Sequence, residues 1–121
     1  MANEIVMVAG LSANKGGSVV NPGNQTKQLT MTNSAMAQYA IALTTSATLV
    51  SFPGFAGVPA CVLIKNNDAT NFIEVGGDSG LTVFKLKVLA GESILITPSS
   101  ATMYYKANTA TCNVFVVAVD S

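Results

Sequence analysis

The segment Phe84-Lys85-Leu86-Lys87-Val88 carries the clearest structural signal in this chain. Its apolar and charged side chains alternate strictly, and a period of two residues is typical of a β-strand with one buried face. We expect Phe84, Leu86 and Val88 to face a core while Lys85 and Lys87 face water. The segment therefore predicts a half-buried strand.

Similar strand patterns extend in both directions from this segment. Residues 39–43 alternate in the same way, Ala60–Ile64 is apolar on both faces and predicts a fully covered central strand, and Cys112–Val119 predicts the last strand. Turn residues recur every 8 to 12 positions or so, and no helical stripe is present. Short connections favour antiparallel neighbours. We predict an all-β fold, a single antiparallel β-sandwich of the jelly-roll type, over residues 27–121.

Residues 1–26 have a different character and are predicted to form an N-terminal arm and loop. The apolar residues Ile5, Val6, Met7 and Val8 precede a stretch rich in Gly, Asn and Pro, which is typical of turns rather than of packed elements. The stretch is either a first strand with a long loop or an extended arm that orders on a neighbouring subunit. We favour the arm, which makes these four apolar residues the candidate partner-binding residues.

The composition leaves few groups for catalysis. Histidine, arginine and tryptophan are absent, 50% of the residues are hydrophobic and 10% are charged. Histidine is the side chain that most readily transfers protons near neutral pH, and arginine is the bidentate ligand of phosphate and carboxylate. We therefore predict a protein that is not an enzyme, with no catalytic, cofactor-binding or metal-binding residues.

The charge balance bears on partners and location. The net charge is zero and the sequence pI is about 6.1, whereas nucleic-acid binding needs clustered cations. The longest apolar run, Val114–Val119, is far shorter than the roughly 20 residues of a membrane helix, and no basic signal-peptide region precedes Glu4. We expect a cytosolic product that binds neither nucleic acid nor membrane. Twelve charges must serve roughly 6,000 Å² of surface, so we expect subunit contacts to cover much of it.

Three groups of residues offer alternatives to a purely structural interpretation. Asp68, Glu74 and Asp78 carry oxygen ligands that calcium accepts, but their spacing favours turns. Tyr104 and Tyr105 are able to stack on sugar rings, although neighbours on a strand point to opposite faces and packing is the favoured role. The two cysteines, at positions 61 and 112, are expected to be buried free thiols in a reducing compartment.

The second half of the chain resembles a known class of proteins. The segments VLIKNNDATNFIEVG (62–76), KVLAGE (87–92) and YKANTA (105–110) are similar to those of small virion structural proteins of tailed bacteriophages, which decorate or cement capsids or sit on tail parts. The resemblance covers about residues 58–119 and rests on the pattern of strand and turn residues. It implies a jelly-roll-like sandwich, symmetric clustering as a homotrimer, and binding to the outer face of a capsid shell.

These observations together predict a capsid decoration protein. It would be made in the host cytoplasm and reside in the virion, with the major capsid protein and further copies of itself as partners. Two alternatives remain open from the sequence: a carbohydrate-binding β-sandwich module, and a tail or baseplate component of the same fold.

Overall fold

The fold is described from a computed structural model that covers residues 4–82, 85–98 and 102–120. The chain divides into two compact units, Met1–Thr32 and Asn33–Ser121. Within the described residues all regular structure is β-strand, and no helix is long and apolar enough to cross a membrane. The predicted all-β class is confirmed.

The N-terminal unit is a pair of two-stranded antiparallel ladders. Strand β1 (Ile5–Ala9) pairs with β4 (Gln25–Leu29), and β2 (Ala13–Lys15) pairs with β3 (Ser18–Val20). The β2–β3 hairpin closes at Gly16 and Gly17, which adopt φ of 59° and 87°. Two successive positive φ values define the tight hairpin turn that only glycine, asparagine and aspartate adopt readily. The residues expected to be a loop therefore form strands, because this Gly-Gly pair reverses the chain.

The second unit is a sandwich of two four-stranded antiparallel sheets. The first sheet has the order β10-β7-β12-β5 and the second has the order β6-β11-β8-β9. The strand bounds are β5 Met36–Leu43, β6 Thr48–Val50, β7 Cys61–Asn66, β8 Ile73–Gly76, β9 Lys85–Val88, β10 Ser93–Ile96, β11 Met103–Ala107 and β12 Cys112–Val119. Successive strands mostly alternate between the two sheets, which is the connectivity of a jelly roll.

Short connections led us to expect antiparallel neighbours, and the strand order shows which strands are paired. Every pairing is antiparallel, as predicted, but in the sandwich only β8 and β9 are both consecutive in sequence and paired. The other connections cross from one sheet to the other, so strands that are close in sequence are not neighbours in a ladder. The predicted jelly-roll-like sandwich is confirmed by this order.

The core lies between the two sheets and is filled by their inward side chains. Alternate residues of β12 are fully buried, and Tyr105 on β11 and Ile73 on β8 meet them from the second sheet. Val88 is fully buried as predicted, whereas Leu86 on the edge strand β9 remains 39% exposed, and Phe84 lies outside the described residues. Leu63 is 38% exposed, so the expectation that Ala60–Ile64 is covered on both faces is wrong for this residue of the central strand β7.

Asn66 is the polar residue that ties the two sheets together. It is fully buried at the end of β7, and its side-chain amide donates to the carbonyl oxygens of Asn71 at 2.9 Å and Val88 at 3.2 Å. Its side-chain oxygen accepts the backbone N–H of Asp68 at 3.0 Å. Each polar atom of this buried amide is therefore satisfied, as burial requires.

Five of the six carboxylates accept backbone N–H groups. Asp68 accepts the N–H groups of Thr70 and Asn71, and Asp78 accepts the N–H and hydroxyl of Thr82. Three further carboxylates each accept one backbone N–H: Glu4 from Met31, Glu92 from Leu89, and Asp120 from Ala56. Glu74 differs in having a lysine as its partner, since its Oε2 atom lies 3.2 Å from the Nζ atom of Lys85.

Candidate partner-binding surfaces

The first candidate surface is the arm ladder, the β1–β4 pair that contains the predicted partner-binding residues. Val6 and Val8 lie on one face of this ladder and expose 56% and 51% of their surface. Ile5 and Met7 lie on the other face, with Ile5 buried at 5% and Met7 half-buried. A two-stranded ladder is at best marginally stable in water by itself. The assignment of these four residues to partner binding remains a prediction, and Val6 and Val8 are the ones whose side chains are available.

The second candidate surface is the apolar face, the outward side of the sheet β10-β7-β12-β5. Most of its side chains are apolar, and Lys65 is its one charge among the residues of these four fully described strands. The register places Val117 opposite Leu63, and Leu63 opposite Leu95, so apolar contacts run across three strands. The apolar members are Met36, Ala40, Ala42, Leu63, Leu95, Phe115, Val117 and Val119.

An antiparallel sheet that meets water on one side normally carries polar residues there. Here both sides of the sheet carry apolar residues, and contiguous exposed apolar surface marks a site of protein association. This face was not predicted from the sequence. The signal was present in Cys112–Val119, where Asn113 is the one polar side chain in a strand that should alternate.

The third candidate surface is the lysine face, the outward side of the sheet β6-β11-β8-β9. It is defined by Lys85, Lys87, Lys106, Glu74 and Tyr104. Glu74 lies directly between Lys106 on β11 and Lys87 on β9 in the strand register. The Nζ atom of Lys85 is 3.2 Å from the Oε2 atom of Glu74, and the Nζ atom of Lys87 is 4.4 Å from the centroid of the Phe72 ring. Three of the six lysines of the chain therefore share one sheet face.

The two tyrosines of β11 have separate environments, as predicted for adjacent strand residues. Tyr104 lies half-buried on the lysine face, whereas Tyr105 is fully buried in the core. Burial, together with the nearby Tyr39, raises the pKa of Tyr105 well above its usual value, and its hydroxyl has no hydrogen-bond partner among the described residues. Tyr105 is therefore a packing residue, and Tyr104 is the tyrosine that an external ligand is able to reach.

The cysteines are buried free thiols, as expected. They lie at opposite ends of β12, because Cys61 pairs with Val119 while Cys112 begins the strand. A rise of about 3.4 Å per residue separates them by about 24 Å, far beyond the reach of about 7 Å that a disulfide allows. Burial raises the pKa of both thiols, with Asp68 adding to the effect at Cys112, so both are protonated at neutral pH.

Asp68 and Asp78 hold the connections on either side of β8, and Glu74 lies within that strand. The hydrogen bonds of Asp68 and Asp78 to backbone N–H groups account for their positions, and those to Asn71 and Thr70 lower the pKa of the Asp68 carboxyl. Among the described residues, no group of three or more Asp, Glu, Cys or His side chains is placed to hold a metal ion.

Two surface grooves lie within the described part of the chain. One, of about 420 Å³, is lined by residues of the N-terminal unit, from Val8 to Asn24. The other, of about 380 Å³, lies on the sandwich beside Leu49, Phe52 and Phe55. Neither groove is lined by an acidic or basic side chain or by a cysteine.

Comparison with known proteins finds structural likeness at a distant level and no related sequence. No protein-family model matches the chain, and no curated protein sequence matches it. A solved structure of a protein assigned to ethanolamine utilization (EutQ) from Salmonella typhimurium LT2 is similar over 95% of this chain and 97% of that one, with 12% identity and a TM-score of 0.48. A likeness at this level carries no argument about function, and the jelly-roll assignment rests on the strand order itself.

Proposed function

We propose that this chain is a structural protein of a bacteriophage virion, a capsid decoration protein that binds the outer surface of the shell and stabilises it. Its partners would be the major capsid protein and further copies of itself, arranged as a homotrimer. The resemblance of residues 58–119 to virion proteins suggests this class of protein. The apolar face is the observation that supports a role in assembly.

The apolar face supports association because its row Val117, Leu63 and Leu95 is only partly covered: Leu63 is 38% exposed and the other two are half-buried. Burial of apolar surface stabilises by about 25 cal/mol per Å², and a stable protein contact covers roughly 1,600 Å² in total. Repetition of the contact at symmetry-related sites on a shell multiplies the effect through avidity. A low charge content fits a protein whose surface is largely covered in its assembled state.

The arm ladder supports a second contact. Val6 and Val8 are exposed on a two-stranded ladder that has unpaired strand edges, and a partner sheet is able to add to such an edge. We assign the arm ladder to the capsid contact and the apolar face to contacts between copies of this chain. A tail or baseplate position would use the same two surfaces.

The test is deletion of residues 2–32, which removes the N-terminal unit and leaves all eight sandwich strands. We expect the truncated protein to fold, because its core lies within the sandwich, but to lose binding to undecorated capsid shells. Binding is measured by co-sedimentation with shells, and folding by circular dichroism and thermal melting.

The matched control is Lys106→Gln in the full-length chain, which alters one charge on the lysine face and leaves both the arm ladder and the apolar face intact. Full occupancy of shells by the truncated protein would contradict the role of the arm. Failure of the full-length protein to bind any shell, with binding to isolated tails instead, would favour the tail component.

A further inference from the structure

The lysine face is the one place where charge is concentrated on this low-charge chain. Lys85, Lys87 and Lys106 surround the single carboxylate of Glu74 on three neighbouring strands. The other five carboxylates accept backbone N–H groups elsewhere. The face therefore has an excess of positive charge although the chain as a whole is neutral.

The cations of this face are held in place by their neighbours. The ion pair of Lys85 with Glu74 and the position of Lys87 over the Phe72 ring restrict two of the three ammonium groups. A cation above an aromatic face is attracted by the ring quadrupole. Ordering before binding reduces the entropy that a ligand must overcome, so these lysines are suited to recognition.

An aromatic platform adjoins the cations. Tyr104 lies directly opposite Gly76 on β8, and Gly76 lies opposite Lys85 on β9. Because Gly76 has no side chain, no side chain of β8 separates the Tyr104 ring from Lys85 along this row. Two strand spacings place the backbones of the two residues about 10 Å apart. On the other side of Tyr104, Leu49 is 52% exposed and extends the apolar platform.

We infer that the lysine face binds acidic sugars, with the ring of Tyr104 stacking on a sugar ring, the lysines pairing with its carboxylate groups, and Glu74 accepting hydroxyl hydrogen bonds. Sugars present all three of these partners together, since they combine apolar ring faces, hydroxyl donors and, in uronates and sialates, carboxylates.

A nucleic acid fits the same face less well. Its phosphates would be repelled by the central carboxylate of Glu74, and the face offers no arginine for bidentate contacts. Non-specific nucleic-acid binding also depends on the release of several counterions, which three lysines beside a carboxylate supply poorly.

The site is independent of the proposed assembly contacts. The lysine face and the apolar face are the outward sides of opposite sheets of the sandwich, so copies associated through the apolar face would leave the lysine face available. A decorated shell would then display many copies of the sugar site. Removal of the arm ladder would abolish the capsid contact and leave sugar binding unchanged, so failures of the two proposals are distinguishable.

The experiment measures binding of the full-length protein to immobilised polygalacturonate and polysialate, with dextran as the neutral polymer and single-stranded DNA as the competing polyanion. We expect binding to at least one acidic polysaccharide and none to dextran. We expect Tyr104→Ala and Lys87→Gln each to weaken binding about tenfold, the size of one lost charge-assisted contact or stacking contact, while Tyr104→Phe retains it.

The matched control is Lys15→Gln, which removes the same charge from an exposed position on the β2–β3 hairpin and should leave sugar binding unchanged. Thermal melting shows whether each variant remains folded. The proposal is overturned if neither acidic polysaccharide binds better than dextran, if single-stranded DNA binds as tightly as they do, or if Lys15→Gln weakens binding as much as Lys87→Gln.

Discussion

The two outward faces of this sandwich differ in the chemistry of their side chains, although they cover the same core. The apolar face presents Phe115, Val117 and Leu63 with a single charge, and the lysine face presents three lysines, a glutamate and a tyrosine. Both sheets have four antiparallel strands and bury their inner sides in the same core. The strand pattern thus determines the fold. The residues at the outward positions determine the chemistry that each side of the sandwich offers to a partner.

A charge placed on the apolar face should affect assembly more than any other change. Val117→Lys is expected to dissociate the proposed trimer, because the contact would bury an unpaired ammonium group at a cost of about 3 kcal/mol or more. Sedimentation velocity at micromolar concentration measures the oligomeric state. The expected result is a monomer with an unchanged circular dichroism spectrum.

Leu49→Lys is the matched control, since it adds the same charge to an apolar residue on the lysine face that is 52% exposed. It should leave the oligomeric state unchanged. A wild-type protein that is monomeric under these conditions, or equal dissociation by both substitutions, would remove the distinction between the two faces.

A second substitution tests whether the core can be weakened without altering the two outward faces. Asn66→Ala leaves the carbonyl oxygens of Asn71 and Val88 and the N–H of Asp68 without their buried partner. We expect the free energy of unfolding to fall by about 3 kcal/mol, since each unsatisfied buried group costs roughly 1–3 kcal/mol and relaxation recovers part of it. Urea unfolding measures the change.

The neighbouring Asn67→Ala is the control, because Asn67 is exposed and should change stability by less than about 0.5 kcal/mol. Since Asn66 points into the core, its folded variant should retain both association and sugar binding. If the Asn66→Ala variant is folded but loses association or sugar binding, the core and the outward faces do not act independently.

Acid should change the stability of the fold slightly, through Asp68. Backbone hydrogen bonds from Asn71 and Thr70 lower the pKa of Asp68 in the folded chain, so its ionised form contributes stability above the unfolded pKa of about 3.9. That contribution disappears as the pH falls through the lowered folded pKa. We expect Asp68→Asn to melt at a lower temperature than the wild type at pH 6 and to converge with it near pH 2. Melting curves across this range provide the measurement, and parallel curves would count against the role of Asp68.

Much of the fold was predictable from side-chain periodicity. The alternation in Lys85–Val88 and 39–43 and the apolar run Cys112–Val119 were sufficient to identify strands, and Cys112–Val119 was placed with its observed bounds. The pairing partners were not predictable, because short connections link hairpins and sheet-to-sheet crossings equally well. The ladder of β2 and β3 was missed because three-residue strands carry almost no periodic signal.

The candidate surfaces were less accessible to sequence reasoning than the fold. Lys85 and Lys87 were correctly expected to point away from the core, but their proximity to Lys106 depends on two strand pairings, β8 with β9 and β8 with β11, that periodicity does not specify. The apolar face depends likewise on which strands flank β12. The arm residues Ile5 to Val8 were identified from composition alone, and the structure places only half of them with exposed side chains.

The separation of the two thiols along β12 gives the protein a built-in pair of reporters. Cys61 and Cys112 lie near opposite ends of the β7–β12 ladder and on opposite sides of the sheet, because Cys112 belongs to the core whereas the register turns Cys61 outward, where it is 6% exposed. Labelling of Cys112 by a thiol-specific reagent therefore reports opening of the core, and labelling of Cys61 reports uncovering of the outward side. When the shell partner is added, slower labelling of one thiol identifies the region that the contact covers.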